Sequence, residues 1–352
     1  MRSLLVTGMA GSGKTAIAIG LALKLRREGY RVAYFKPVGS PGTGKRDQDA
    51  RLVREILDVE TPAETIVPCA VGPSYLSRNK KEEWMHAITA AYREISKDVD
   101  LVIIDGATFP YLLAADEMDS VSLAEKLGAV VLNVIKVKND FDFDFAVFFN
   151  SFLACRGIAC AGNLFSHVQR PLLAKTDGVY RPILDQMGYR TVGIIPARPE
   201  IASPTVAEFY EALGGEILTG EDRMDLLVED VIVGAMTMES ALQYLRRAAN
   251  KAVILGGDRA DLALAALETN TSTLILTGGF YPDVKVVARA SEKGVPVILV
   301  HYDTYTAIER VAEVSRHIKP GDAGGVRVAL ENIEQYCNWR EIFASLQEDR
   351  NG

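Results

Sequence analysis

The sequence predicts an α/β protein: a doubly wound, mostly parallel sheet carrying a phosphate-binding loop, followed by a smaller α/β domain. Short apolar runs alternate with longer stretches of helical periodicity from the first residues onward. The runs are apolar throughout rather than at every second residue, as strands buried on both faces of a parallel sheet require. A break over 199–220, marked by Pro199, Pro204, Gly214, Gly215 and Gly220, separates two such series.

In order, residues 4–7 read as a strand, 15–27 as a helix, 31–35 as a strand and 49–57 as a helix. Residues 80–97 are helical and lead into the apolar run Leu101-Val102-Ile103-Ile104. Runs at 129–135 and 157–165 read as strands with a helical stretch between them, and Gly193-Ile194-Ile195-Pro196 closes the first series. Strands of this kind need helical crossovers, which cover the sheet on both faces. After the break, strands are expected at 226–233, 251–255, 272–276 and 295–300, with helices at 238–248, 259–268, 282–293 and 304–317. The expected limits are 1–212 for the first domain and 215–320 for the second. A polar tail follows at 321–352, with one amphipathic stretch at 339–346.

The composition suits a folded two-domain chain: 352 residues, 48% hydrophobic and 24% charged. Lysine and arginine total 39 against 46 acidic residues, a formal charge of −7, which argues against a nucleic-acid partner. Cys69, Cys155, Cys160 and Cys337 are too scattered for a disulfide framework or a paired metal site, so reduced thiols and a cytoplasmic protein are expected. No apolar run approaches the ~18 residues of a membrane span, so no membrane partner is expected. The N-terminal run Ser3-Leu4-Leu5-Val6-Thr7 leads into glycines and a lysine, as a strand does and a secretion signal does not.

Gly8-Met9-Ala10-Gly11-Ser12-Gly13-Lys14-Thr15 satisfies G-x-x-x-x-G-K-[ST] between an expected strand and an expected helix. Glycines let backbone N–H groups converge on phosphate oxygens, and the helix N-terminus adds a favourable dipole. Lys14 supplies a point charge to the β- and γ-phosphates, and the Thr15 hydroxyl suits Mg²⁺. The cofactor-binding set is therefore Gly8, Gly11, Ser12, Gly13, Lys14 and Thr15. A phosphate-bound Mg²⁺ usually takes one or two protein carboxylates as well. Asp105, at the end of its apolar run, is the first candidate, and Asp47 or Asp49 after the second strand is the other. A solvated helix cap is the competing role for that pair.

Lys36-Pro37-Val38-Gly39, Asp47-Gln48-Asp49-Ala50, Asp105-Gly106-Ala107, Gly157 to Asn163 and Gly193-Ile194-Ile195-Pro196 together resemble dethiobiotin synthetase and the related amidoligases of cobalamin synthesis. Further on, Val233-Gly234-Ala235-Met236, Gly257-Asp258-Arg259-Ala260-Asp261, Leu276-Thr277-Gly278-Gly279 and Asp303-Thr304-Tyr305 resemble a DRTGG domain. That order is similar to the non-catalytic region of long-form phosphate acetyltransferases. The resemblance implies ATP and Mg²⁺ as cofactors, Lys36 as a grip on a small anionic metabolite, and Asn163 as a reader of the nucleobase edge. A buried turn role for Asn163 is the alternative. ATP rather than GTP rests on the resemblance, with no [NT]KxD guanine motif in view.

The departures carry weight too. Only residues 321–352 follow the DRTGG-like region, so acetyl transfer to phosphate is not expected from this chain. The phosphate loop has Met9 and Ala10 where dethiobiotin synthetases place an aspartate, and Asp105 is followed by Gly106-Ala107-Thr108-Phe109 rather than by their Gly-Ala-Gly-Gly. Asp258 and Arg259 suit an anion or a dimer contact, or a plain helix cap. His301 with Asp303 is the one histidine at a strand end worth noting, against a structural role. The Asp/Phe stretch around Phe141 to Phe149 reads as an amphipathic helix packing on the sheet or an interface, rather than a stacking platform.

Two functions follow as expectations. One is a nucleotide-responsive regulatory protein, with the second domain providing a homo-oligomer interface or an effector site. The other is an ATP-dependent ligase or kinase-like enzyme acting on a small carboxylate, with Lys14 and Lys36 as its catalytic residues and Thr15, Asp49 and Asp105 around the metal.

Overall fold

The computed structural model describes residues 2–39, 45–72, 74–78, 80–312, 314 and 316–348. The chain divides into two compact units, Met1–Arg198 with Ile318–Gly352, and Pro199–His317.

In the first unit, β1 (Arg2–Thr7) and α1 (Lys14–Arg27) are followed by β2 (Val32–Phe35), α2 (Lys45–Leu57), α3 (Lys81–Ile95) and β3 (Leu101–Asp105). Next come α4 (Ser120–Leu127), β4 (Val130–Ile135), α5 (Asp140–Cys155), β5 (Cys160–Val168) and β6 (Thr191–Pro196). A helical segment over 173–186, with a π turn at Thr176–Tyr180, lies between the last two strands. The sheet order is β2-β3-β1-β4-β5-β6, every neighbouring pair parallel. The chain leaves β1 toward one edge, returns through β3, and then crosses to β4 on the other side of β1. Such a reversal opens a crevice at the carboxyl ends of the strands, where open α/β sheets place their ligands.

Helix α1 begins as soon as Gly13 turns the chain through the left-handed region, and it buries Ile17, Ala18, Leu21, Ala22 and Leu25 at helical spacing. Lys24, Arg26 and Arg27 in its last turn complement the negative end of the helix dipole. Helix α5 is capped by the Asn139 side chain, which accepts from the N–H groups of Phe141 and Asp142.

The second unit comprises α6 (Val206–Leu213), β7 (Glu216–Thr219), β8 (Asp230–Val233), α7 (Met238–Arg247), β9 (Lys251–Gly256), α8 (Ala260–Leu267), β10 (Thr271–Thr277), α9 (Val284–Lys293), β11 (Val297–Leu299) and α10 (Thr304–Ala312). Its sheet order is β8-β9-β10-β11-β7, with β7 antiparallel to β11 and the other pairs parallel. The whole molecule is thus α/β with mostly parallel sheets. Val206, Phe209 and Leu213 of α6 pack against Ile254, Ile275 and Ile298, so this helix belongs with the second unit rather than ending the first.

The stretch after 321, expected as a polar tail with one amphipathic stretch at 339–346, forms α11 (Ala323–Tyr336) and α12 (Trp339–Glu348) and returns to the first unit. Ile333, Trp339, Ile342, Phe343 and Leu346 join the core beneath α1. The close approach rests on Gly20, where a Cβ would lie 2.5 Å from the Ala329 carbonyl oxygen. Charged residues spread among these apolar positions lower the average hydropathy of the segment, while the apolar ones still fill one face of each helix.

Candidate functional site

Strand β1 delivers the chain to Gly8, and the loop 8–13 wraps back into the N-terminus of α1. Two of its glycines are fixed by close approach. A Cβ on Gly8 would sit 2.1 Å from the Val134 carbonyl oxygen of β4, and Gly13, at φ +81°, would press one to 2.2 Å from Cε1 of His167. His167 is itself buried at the end of β5 with φ 53°, and its Nδ1 lies 3.0 Å from the Ser166 hydroxyl. Gly13→Ala is expected to lower stability by roughly 2 kcal/mol, from left-handed strain plus overpacking. Calorimetry checks this as a fall in Tm; an unchanged Tm would mean that the loop accommodates the methyl group.

Lys14 is 8% exposed, and its Nζ donates to the carbonyls of Gly8 and Met9 at 2.9 Å each and of Thr108 at 3.2 Å. Burial pushes its ammonium down to about 8; the Asp105 carboxylate opposes that shift and the Lys36 charge adds to it. The cation is thus held inside the loop by backbone oxygens, which a phosphate would replace with a full counter-charge.

Asp105 ends β3 directly beside this loop and is fully buried. Its Oδ2 accepts from the Thr15 hydroxyl at 2.7 Å and the Tyr34 hydroxyl at 2.7 Å, and the Lys36 ammonium lies 3.4 Å away. Its Oδ1 is buried without a hydrogen-bond partner, and so is the Ser12 hydroxyl within the loop. Buried polar atoms left unmatched are few in folded proteins, and these two beside the phosphate loop suit polar partners there. A hydroxyl and a carboxylate oxygen are hard donors of the kind Mg²⁺ takes, so Thr15 and Asp105 fit that ion. Among the described residues no group of three or more His, Cys, Asp or Glu is arranged to hold a metal, and a metal here would draw on phosphate oxygens as well.

Of the residues singled out in the sequence, the structure brings together Gly8, Gly11, Ser12, Gly13, Lys14, Thr15, Lys36 and Asp105. Asp47 and Asp49 fall within α2, but their side chains lie outside the described residues. Asn163 is not brought to the loop. It is fully buried, and its Oδ1 accepts from Asn133 at 2.9 Å and Asn150 at 2.8 Å, while its Nδ2 donates to Asn150 Oδ1 and the Arg190 carbonyl. A carboxamide with both ends so engaged ties β4, α5 and β5 together and has no free edge for a nucleobase. In the second unit, Arg259 pairs with Asp261 at 3.1 Å and donates to the Met236 carbonyl, and His301 packs beside Gly279.

Tyr34, Thr108 and His167 are parts of the loop's surroundings that no sequence pattern marked. Tyr34 belongs to a strand read only as apolar, and Thr108 contributes its carbonyl, which any residue carries. His167 reaches Gly13 only through the pairing of β4 with β5.

Residues 2–205 match the family model described as AAA domain, more than half of the chain. The chain belongs to this family. A second model, described as DRTGG domain, matches residues 208–314 of this AAA-domain chain. Among curated proteins, the phosphate acetyltransferase of Nitratidesulfovibrio vulgaris is 23% identical over 95% of the chain and 50% of its own length. That of Pseudomonas putida is 24% identical over 89% of the chain and 47% of its own length. The chain therefore spans about half the length of the curated relatives it matches. Among solved structures, the CBS and DRTGG domains of Clostridium perfringens pyrophosphatase align with TM-score 0.28 and 17% identity, over 48% of this chain and 86% of that one. No helix among the described residues is long and apolar enough to cross a membrane.

Proposed function

We propose that the chain binds Mg-ATP in the phosphate loop and responds to it as a regulatory protein, with the DRTGG domain carrying the response. The observation that carries the nucleotide half is the pair of buried oxygens without a protein partner, Ser12 Oγ in the loop and Asp105 Oδ1 beside it, together with the retained Lys14. In this reading the loop N–H groups and Lys14 hold the phosphates, and Thr15 and Asp105 hold Mg²⁺, with Asp47 or Asp49 as a further ligand. When bound, the metal neutralises phosphate charge and orients the terminal phosphoryl group. The regulatory half is supported by the loop's own composition: Met9 and Ala10 leave it without a carboxylate to act on a second substrate. An effector site or oligomer contact in the second unit, around Asp258 and Arg259, completes the reading, with the cytoplasm as the expected compartment.

Lys36 favours a second reading. Its partly buried ammonium stands 3.4 Å from Asp105, where it would also meet an anionic group presented to the terminal phosphate. That arrangement suits an ATP-dependent ligase or kinase-like enzyme acting on a small carboxylate.

Hydrogen exchange over 199–317 and sedimentation of the full chain, each with and without Mg-ATP, test the regulatory reading, alongside ADP release against a carboxylate panel. Altered exchange or sedimentation without metabolite-dependent turnover is expected. No change in either, with nucleotide bound, would overturn regulation, and carboxylate-stimulated ADP release would favour the enzyme.

A further inference from the structure

At the amino-terminal ends of β9 and β10 the second unit carries a cavity of about 230 Å³. One wall is the end of α7, with Arg246, Arg247 and Ala248; the other is the turn between α8 and β10, with Glu268 and Asn270. The volume is below the roughly 300–1,000 Å³ of pockets that take drug-sized molecules, so it suits a small occupant.

Lys251, the first residue of β9, is fully buried against these walls. Its Nζ donates to the carbonyls of Ala248 at 3.1 Å and Asn270 at 2.5 Å, both of them wall residues. An ammonium has three N–H groups, and among the described residues the third meets no acceptor. Lysine is almost never fully buried unless paired, and no carboxylate among the described residues forms an ion pair with this one. Burial pushes its ammonium below the ordinary value, and only the more distant charge of Asp230 opposes that shift. Arg246 and Arg247 are exposed, and neither makes an ion pair or a hydrogen bond among the described residues. Glu268, the one carboxylate of the walls, is already met by Arg289 at 2.6 Å and Lys293 at 3.5 Å. Cations are ordinary at a helix C-terminus. Here, however, Lys251 already takes the Ala248 carbonyl at the end of α7, and two guanidiniums remain over.

We propose that this cavity binds a doubly charged oxyanion, either a phosphate ion or the phosphate group of a small ester. The guanidiniums of Arg246 and Arg247 present N–H groups in the planar fork that matches phosphate oxygens. Lys251 adds a fixed positive charge behind the wall, where burial keeps it from being screened by salt. A dianion gains from each of these cations twice what a monocarboxylate gains at the same distance, so the site favours phosphate over acetate. All of its residues belong to the second unit, and binding there requires nothing of the phosphate loop.

The test is hydrogen exchange of the full chain in potassium phosphate against potassium chloride of equal ionic strength, at a mildly alkaline pH where phosphate is doubly charged. Exchange over 246–251 and 268–271 is expected to slow by about threefold or more in phosphate, and to stay unchanged in acetate. Arg246→Gln with Arg247→Gln should abolish that slowing and leave the Tm in chloride unchanged, since both side chains are exposed. Should that pair fail to fold, Arg247→Gln alone is expected to weaken the slowing at each phosphate concentration. Glycerol phosphate separates the two sources. Slowing by inorganic phosphate alone assigns the site to the free ion, and stronger slowing by the ester assigns it to a phosphorylated metabolite. No slowing with either, slowing confined to the phosphate loop at 8–15, or slowing that persists without the two arginines overturns the proposal. Equal slowing by acetate overturns it as well, because the site would then not select a double charge.

Discussion

Nucleotide affinity is expected to be steady below about pH 8 and to fall by about tenfold for each further pH unit. The cause is Lys14, whose buried ammonium is pushed down to about 8 in the absence of nucleotide. The phosphates need the charged form, so above that value each binding event must also take up a proton. The stability of the ligand-free protein runs the other way. Below about pH 8 the lysine is charged in both folded and unfolded chains, and the full burial penalty is present. Between about 8 and the ordinary value of 10.5 the unfolded chain holds the proton that the folded one has lost, so this group's contribution to stability rises with pH. Lys14→Ala should remove the pH step and weaken binding by about 30- to 100-fold, the equivalent of roughly 2–3 kcal/mol for a charge-assisted contact. Lys14→Arg keeps the charge across the range and should flatten the profile, because a guanidinium does not titrate there. Isothermal titration with Mg-ATP from pH 7 to 10 measures all three. A profile that stays flat in the unaltered protein would mean that the Lys14 ammonium keeps its ordinary value. A Lys14→Ala variant that binds as tightly as the unaltered protein would remove Lys14 from phosphate binding.

The phosphate loop was legible because its chemistry is local: glycines, lysine and hydroxyl are consecutive, and their strand–helix context is written beside them. Asp105 was legible for a related reason, as a carboxylate ending a continuously apolar strand. The doubly wound sheet followed from runs such as 101–104, whose lack of alternation already required cover on both faces. The antiparallel strand β7 (Glu216–Thr219) left no such trace, being short and partly exposed at a sheet edge. Asn163 shows where local reading stops. Its environment is made by Asn133 and Asn150, 30 and 13 residues away, and only the packed sheet shows the three carboxamides satisfying one another. The final helices were obscured differently. Their apolar residues are diluted by charges, and their contact with α1 depends on Gly20, a residue whose contribution is the absence of a side chain.

Replacing Asp105 is expected to be damaging, and its effects divide into two parts. The carboxylate is fully buried and faces the Lys36 ammonium, so Asp105→Asn takes a counter-charge from a cation that lies mostly out of water. Breaking a buried pair from one side typically costs 3–5 kcal/mol, and a loss of about 3 kcal/mol is expected here because Lys36 retains some access to solvent. The hydroxyls of Thr15 and Tyr34 keep an acceptor in the amide oxygen, so the loss is one of charge more than of hydrogen bonds. Lys36→Met added to Asp105→Asn should recover part of that stability, since it removes the charge that faced the carboxylate and leaves a side chain of similar length. The double variant should still fail to show any gain in ATP affinity from Mg²⁺, because the carboxylate that fits the metal is gone. Urea unfolding of both single variants and the double variant gives the coupling energy between the two side chains. ATP titrations with and without Mg²⁺ read the metal role separately. Recovery of stability with Mg²⁺ dependence intact would place the metal away from Asp105, and a double variant no more stable than Asp105→Asn would show that the ion pair is not what holds this end of β3.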